Sequence, residues 1–206
     1  MAFPDFPYPD VIAQFVLTES SADLFPGVPD LPASAALQSF LGTNLTLANL
    51  INTEKARSEL LVAPVLSELW GRCGGRINLF SGIEFAADPA AQLTGFVDFL
   101  IGLGPQLPRV STPVVVLFEA KRDNIAEGYG QCIAAMVGAQ RFNQRAGNAV
   151  ETIYGCVTTG INWKFLRLEG SRITFDLSEY TIQQPARILG LLAHMVTQAP
   201  APSAAA

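Results

Sequence analysis

The residues best suited to chemistry sit at the end of an apolar run, Pro113-Val-Val-Val-Leu-Phe-Glu119-Ala-Lys121. Read as a strand, this run is apolar enough to be buried on both faces. Side chains alternate along a strand, so Glu119 and Lys121 share a face while Ala120 points away. A second apolar segment, Leu93-Thr-Gly-Phe-Val-Asp98-Phe-Leu-Ile, holds a single acid. If the two strands are neighbours joined by the Gly/Pro-rich stretch 102–113, Asp98 converges on Glu119 and Lys121. Carboxylates offer hard oxygen donors to a cation, and an ammonium stabilises negative charge. The plain alternative is an Asp98–Lys121–Glu119 ion-pair cluster with no metal and no turnover. A buried cluster of that kind is a poor source of stability.

The elements that must position these groups are legible as patterns. A helix is expected from Asn52 or Thr53, a good N-cap, to Trp70, stopped by Gly71. Leu60, Leu61, Val62, Val65, Leu66 and Leu69 form its apolar face. At about 100° per residue, Glu54 lies near the direction of Leu61, on the inward stripe, and Glu59 projects from the opposite side. A first-turn acid also complements the helix dipole, which is the bland account of Glu54. Pro64 implies a kink or a lost backbone bond. Strand-like runs follow at Ile77–Ala87, Leu93–Leu103 and Pro113–Lys121, and their short connections predict a meander. Ile125–Arg145 reads as a helix capped by Asp123-Asn124, with Ala134, Ala135, Gly138 and Ala139 allowing close approach to a sheet. Glu151–Thr159 is a further strand, then a hairpin of Trp163–Leu168 and Arg172–Leu177, then a helix over Pro185–Gln198 with Pro at its first turn. The connection from Lys121 to Glu151 is long enough for a right-handed parallel crossover. The class is α/β: a three-layer sandwich whose mixed central sheet is flanked by helices.

Three segments are expected: an acidic Pro-rich arm over 1–50, a globular domain over 51–198 and a loose tail over 199–206. The arm has six prolines by residue 32, five acids and no Lys or Arg. A short helix near Val11–Leu17 and another over Ala33–Leu41, closed by Gly42, are expected in it, then an apolar link over Asn44–Leu50. The net charge is −5, so the rest of the chain is neutral, with 13 acids against 13 bases. That lacks the basic footprint of a strong non-specific nucleic-acid binder. Acids gathered at a metal site would alter this balance locally. No apolar run reaches the length of a membrane span, and the start lacks the n- and h-regions of a secretory signal. Cys73, Cys132 and Cys156 are scattered and odd in number, which fits a reducing cytoplasm and disfavours zinc or a disulfide framework.

The set Glu54, Asp98, Glu119-Ala-Lys121 and Gln131 resembles the PD-(D/E)XK nuclease superfamily. The matching stretches are Thr53-Glu-Lys-Ala-Arg57 with Pro64-Val-Leu, Gly95-Phe-Val-Asp98, Glu119-Ala-Lys121 and Gly130-Gln131-Cys132. Val97 stands where the family's eponymous Pro would be. Gly155-Cys-Val-Thr-Thr-Gly-Ile-Asn-Trp-Lys-Phe165 is similar to uncharacterised cyanobacterial-type members. The resemblance implies a restriction endonuclease-like core of αβββαβ order and a Mg²⁺- or Mn²⁺-dependent hydrolysis of DNA. On that analogy Asp98, Glu119 and the Ala120 carbonyl hold the metal, which polarises a phosphate and activates a water. Lys121 orients or deprotonates that water, Glu54 tunes the metal or its water shell, and Gln131 steers substrate or the lysine. The superfamily also has members without activity. A catalytically inactive binding or assembly module is therefore the alternative, with a homodimer formed through the N-terminal arm.

Other chemistries find less support. His194 is the one histidine, and no G-x-S-x-G accompanies it, which argues against a Ser/His/Asp hydrolase. No P-loop motif is present. Gly102-Leu-Gly104 reads as turn chemistry and Cys132 as packing. Lys55, Arg57, Arg141 and Arg145 could touch phosphate, though scattered bases are more often a solvated face.

Overall fold

The structure, a computed structural model, describes Phe3 and residues 6–111, 113–148 and 150–198. The tail expected over 199–206 lies outside the described residues. Among the described residues, eight strands form one mixed sheet. They are β1 (Thr18–Ala22), β2 (Ile77–Asp88), β3 (Leu93–Leu103), β4 (Val114–Ala120), β5 (Thr152–Thr158), β6 (Asn162–Glu169), β7 (Arg172–Asp176) and β8 (Tyr180–Thr181). Their order is β1-β7-β6-β5-β4-β3-β2, with β8 beside β6. β2, β3 and β4 form the expected antiparallel meander. β4 and β5 are parallel across the expected helical crossover.

Six α-helices among the described residues accompany the sheet: α1 (Asp10–Gln14), α2 (Ala35–Ile51), α3 (Glu54–Arg57), α4 (Ala63–Cys73), α5 (Tyr129–Arg145) and α6 (Pro185–Gln198). α5 lies so close to β5 that a Cβ at Gly155 would meet Met136 Sδ at 2.4 Å and Cys132 Sγ at 2.8 Å. Tyr154, adjacent in the strand, faces the other way and stacks on Phe25, whose ring meets His194 of α6 edge-on. Helices therefore cover both faces, making the α/β sandwich. The lone histidine is a packing residue, and burial lowers its pKa. No helix among the described residues is long and apolar enough to cross a membrane.

Asn143, fully buried on α5, is the pin that sets β4 in place. Its Oδ1 accepts from the Val114 N–H at 2.8 Å, and its Nδ2 donates to the Val114 carbonyl at 2.6 Å. Both backbone groups of the first β4 residue are thereby satisfied inside the core. The register that carries Glu119 to the far end of the strand begins at this contact.

The first fifty residues differ most from the sequence reading. Phe3, Phe6, Val11, Leu24 and Phe25 are buried in this chain's own core. Gly130 on α5 lets the segment cross closely, since a Cβ there would sit 2.0 Å from the Phe6 carbonyl oxygen. Thr18–Ala22 was not expected as a strand, because Thr-Glu-Ser-Ser-Ala carries no apolar alternation. It forms an edge beside β7, held by backbone bonds such as Thr18 N–H to Ser171 O at 2.8 Å. The short helix closed by Gly42 and the apolar link after it are in fact one helix of 17 residues, α2. An exposed mid-helix Gly costs about 1 kcal/mol. Burial of Leu37, Leu41 and Ala48 on the inner face offsets that cost. The helix stops at Asn52, which takes the left-handed conformation with φ 52°.

The helix expected from residue 53 onward runs to Cys73, but in three pieces. Between α3 and α4 the turn Ser58–Val62 is π-helical, and the Ala63 N–H reaches back five residues to the Ser58 carbonyl. Pro64 follows at once, with no N–H to offer. The looser turn takes up the mismatch that a proline creates inside a helix.

Candidate active site

β3 and β4 pair from Gly102↔Val114 to Phe99↔Phe118, and there the ladder ends. Beyond that point the strands part, and Asp98 fills the fork. Its Oδ2 accepts from the Ala120 N–H at 2.7 Å, replacing the backbone carbonyl a continued ladder would have supplied. The Asp98 carboxylate thus lies at the carboxyl end of β4, beside the two charged residues found there.

Glu119 is only 4% exposed. Its Oε1 accepts from Lys121 Nζ at 2.5 Å, and the same ammonium lies 3.3 Å from Gln131 Oε1 on α5. The Lys121 N–H extends the β4–β5 ladder to the Thr158 carbonyl at 2.8 Å, which fixes the backbone under the side chain. Gly128, in the 3-10 turn before α5, lies directly on this pair. A Cβ there would meet Val157 Cγ1 at 2.5 Å, Glu119 Cγ at 3.2 Å and Lys121 Cγ at 3.3 Å. Only a residue without a side chain lets α5 start near enough for Gln131 to reach the lysine.

Glu54 enters from the opposite layer. Thr53 caps α3 by accepting from the Ala56 N–H at 3.1 Å, and this sets Glu54 as the first helical residue. The corner between α2 and α3 is tied to the site by Arg57. Its guanidinium donates to the Arg122 carbonyl at 2.9 Å and to Asn52 Oδ1 at 2.9 Å. Arg57 is therefore committed to positioning rather than free for phosphate. Glu59 is exposed and paired with Lys55 at 2.8 Å, so Glu54 is the helix acid that belongs to the cluster.

Electrostatics link the four charges. Burial, reinforced by the nearby Asp98 charge, pushes the Glu119 carboxyl up to about 8, against the pull of Lys121. Burial also raises Asp98, although the Ala120 N–H and Lys121 draw it down. Glu54 is raised by burial and by Asp98, with Lys121 opposing. Burial acts to lower Lys121, but the attraction of Glu119, Glu54 and Asp98 outweighs it and holds the ammonium above its ordinary range. Three carboxylates around one lysine leave an excess of negative charge, which a proton or a cation relieves.

Asp98 Oδ1 and Glu119 Oε2 have no protein donor among the described residues, so one oxygen of each carboxylate is free. No group of three or more His, Cys, Asp or Glu side chains among the described residues is arranged to hold a metal ion. The protein therefore brings two carboxylates together, with Glu54 standing further off. Two are sufficient for Mg²⁺, which keeps several waters and takes its remaining ligands from them and from substrate phosphate. The donor set is hard oxygen throughout, and it fits that ion.

Of the five side chains read from the sequence, Asp98, Glu119, Lys121 and Gln131 meet here with Ala120, and Glu54 is coupled to them through charge alone. Arg141 and Arg145 do not meet here. They pair with Asp88, at 3.0 and 3.2 Å. Three contributors went unread. Gly128 fell inside the helix expected over Ile125–Arg145, which in fact starts at Tyr129, and Arg57 was visible only as one base among several. Phe96, 65% exposed, stands on the same face of β3 as Asp98, two residues away. A cavity of about 920 Å³ lies between α2 and the start of α6, apart from the cluster. Its Tyr180 donates to Asp176 Oδ2 at 2.9 Å and its Arg187 to backbone carbonyls, so both are structural. No family model matches the chain, and no curated protein matches it.

Proposed function

We propose that the chain is a divalent-metal-dependent nuclease of the PD-(D/E)XK kind that hydrolyses DNA phosphodiester bonds, built on a restriction endonuclease-like core. The observation that carries this reading is the placement of Asp98 in the β3–β4 fork, beside the buried Glu119–Lys121 pair. Asp98 and Glu119 would hold Mg²⁺ or Mn²⁺ through their free oxygens, with the Ala120 carbonyl as a further donor. When bound, the ion polarises the phosphate and lowers the pKa of a coordinated water.

The chain's own groups do the rest. Lys121, kept charged by its neighbours, donates to the oxygens on which negative charge builds and orients the attacking water. Gln131 holds the lysine head in place, and Gly128 lets it do so. Glu54, coupled to the cluster through charge, would act on the water shell of a bound ion. Phe96 offers an exposed ring beside the scissile group, on which a splayed base can stack. The free, buried thiols of Cys73, Cys132 and Cys156 agree with a reducing, cytoplasmic setting.

The lack of a three-ligand cluster favours the second reading, a non-catalytic module on the same fold. Incubation of linear, branched and single-stranded DNA with Mg²⁺ or Mn²⁺ separates the two. Cleavage by the wild type, lost in Asp98→Asn and in Lys121→Met, is the expected result. Intact DNA in every lane, from wild type folded at the same concentration, sinks the nuclease reading.

A further inference from the structure

The exposed side of α2 has no partner in the chain. Ala36, Phe40, Thr43, Leu47 and Leu50 are spaced alternately by four and three residues, the repeat of a coiled-coil seam. All of them face solvent. Phe40 is 42% exposed, Leu47 46%, Leu50 79%, and the adjoining Ile51 48%. The inner face, Leu37, Leu41 and Ala48, is what the fold itself uses. α2 thus carries two apolar stripes, and only one of them is covered.

We propose that this stripe is a two-fold interface on which a second copy of the chain packs its own α2, antiparallel to the first. Three observations single out a second copy. First, no residue of α2 is charged. Self-contact therefore sets no like charges together in a chain of net charge −5, and a basic or acidic partner would find nothing to read. Second, the stripe is close to symmetric about its middle residue, Thr43. An antiparallel copy brings Phe40 against Leu47 and the small Ala36 against Ile51, as an isologous contact requires. Third, each polar side chain at its middle donates back into α2. Thr43 Oγ1 donates to the Ser39 carbonyl at 3.1 Å, and Asn44 Nδ2 to the Phe40 carbonyl at 2.9 Å. Covering them leaves the Thr43 hydroxyl proton bonded, and one Asn44 N–H to be met by the facing copy.

Phe40, Leu47, Leu50 and Ile51 are 42% to 79% exposed, and covering them on both copies counts twice toward the roughly 1,000 Å² a specific interface needs. The remainder comes from the groove of about 530 Å³ between α2 and α4, where Ala36 and Phe40 meet Pro64, Ser67 and Gly71. Its one ion pair, Glu68 with Arg72 at 2.6 Å, is internally neutral. This interface is separate from the metal-site reading and stands whether or not the protein cuts DNA.

Sedimentation equilibrium of the full chain, run from 1 to 100 µM (on the order of typical dimer affinities), tests the proposal. The wild type is expected at twice its 22.0 kDa mass, and Leu47→Glu at the monomer mass with unchanged circular dichroism. Thr43→Cys should cross-link two copies under mild oxidation, because Thr43 sits at the two-fold axis, whereas Asn49→Cys on the opposite side should not. A wild-type chain that stays monomeric throughout overturns the proposal. So does a dimer that survives Leu47→Glu, or one that cross-links equally well through Asn49→Cys.

Discussion

Glu119→Gln should make the metal-free protein more stable, and only at high pH. The Glu119 carboxyl, ordinarily near 4.5, is pushed up to about 8 in the fold. A folded value above the unfolded one means the acid contributes fully below pH 4.5 and loses that contribution as the pH rises through 8. The gap of about 3.5 on the pH scale, at about 1.36 kcal/mol each, sets an upper bound near 5 kcal/mol. Structural relaxation around the Lys121 contact reduces this, and we expect on the order of 2–4 kcal/mol between pH 5 and pH 8.5. Glutamine cannot ionise, so the variant escapes the loss. Urea unfolding in EDTA at both pH values measures the difference. At pH 8.5 the variant should exceed wild type by that amount, about 4–16 °C in Tm for a domain of this size. At pH 5 the two should nearly coincide. A variant no more stable at pH 8.5, or equally favoured at both pH values, would refute the charge-excess account of the site.

The remaining predictions concern the frame around the site. Asp98→Asn keeps an acceptor for the Ala120 N–H and should unfold within about 1 kcal/mol of wild type, whereas Asp98→Ala leaves that donor bare and should cost about 1–3 kcal/mol. Asn143→Leu strands both backbone groups of Val114 in the core and should destabilise by about 2–5 kcal/mol in chemical denaturation. Gly128→Ala drives a Cβ into Val157 Cγ1 at 2.5 Å. It should cost about 1–3 kcal/mol by overpacking and, through displacement of Gln131, lower any DNA cleavage at least tenfold. Phe96→Ala should raise KM for single-stranded substrate with kcat little changed, about 1–3 kcal/mol per lost base stack. An unaltered KM removes Phe96 from the substrate path.

The sheet was legible where residue type and period agreed. β3 appears at Leu93–Leu103 as expected, and β4 differs by one residue at each end from Pro113–Lys121. The cluster was legible for a related reason: a lone acid inside an apolar strand and an acid–lysine pair at the end of another have few innocuous explanations. β1 was not legible, because Thr18–Ala22 is an edge strand held by backbone bonds to β7 and carries no apolar signature. α2 was split at Gly42, because local propensity gives no weight to the long-range burial of Leu41 and Ala48. The π-helical turn before Pro64 is a tertiary answer to a local conflict. Gly128 and Arg57 act only through partners outside their own elements, Val157, Glu119 and Lys121 for one, the Arg122 and Thr159 carbonyls for the other. No pattern along the chain announces such contacts.

On the proposed reading, Asp98 and Glu119 jointly hold a divalent cation. Calorimetric titration of Mn²⁺ into wild type and Asp98→Asn at pH 7, repeated in two buffers of different ionisation enthalpy, tests it most directly. The account predicts one saturable site in the wild type, with heats that differ between buffers because Glu119 gives up its proton as the ion enters, and no site in Asp98→Asn. Equal binding by both proteins, or none by either, would contradict it.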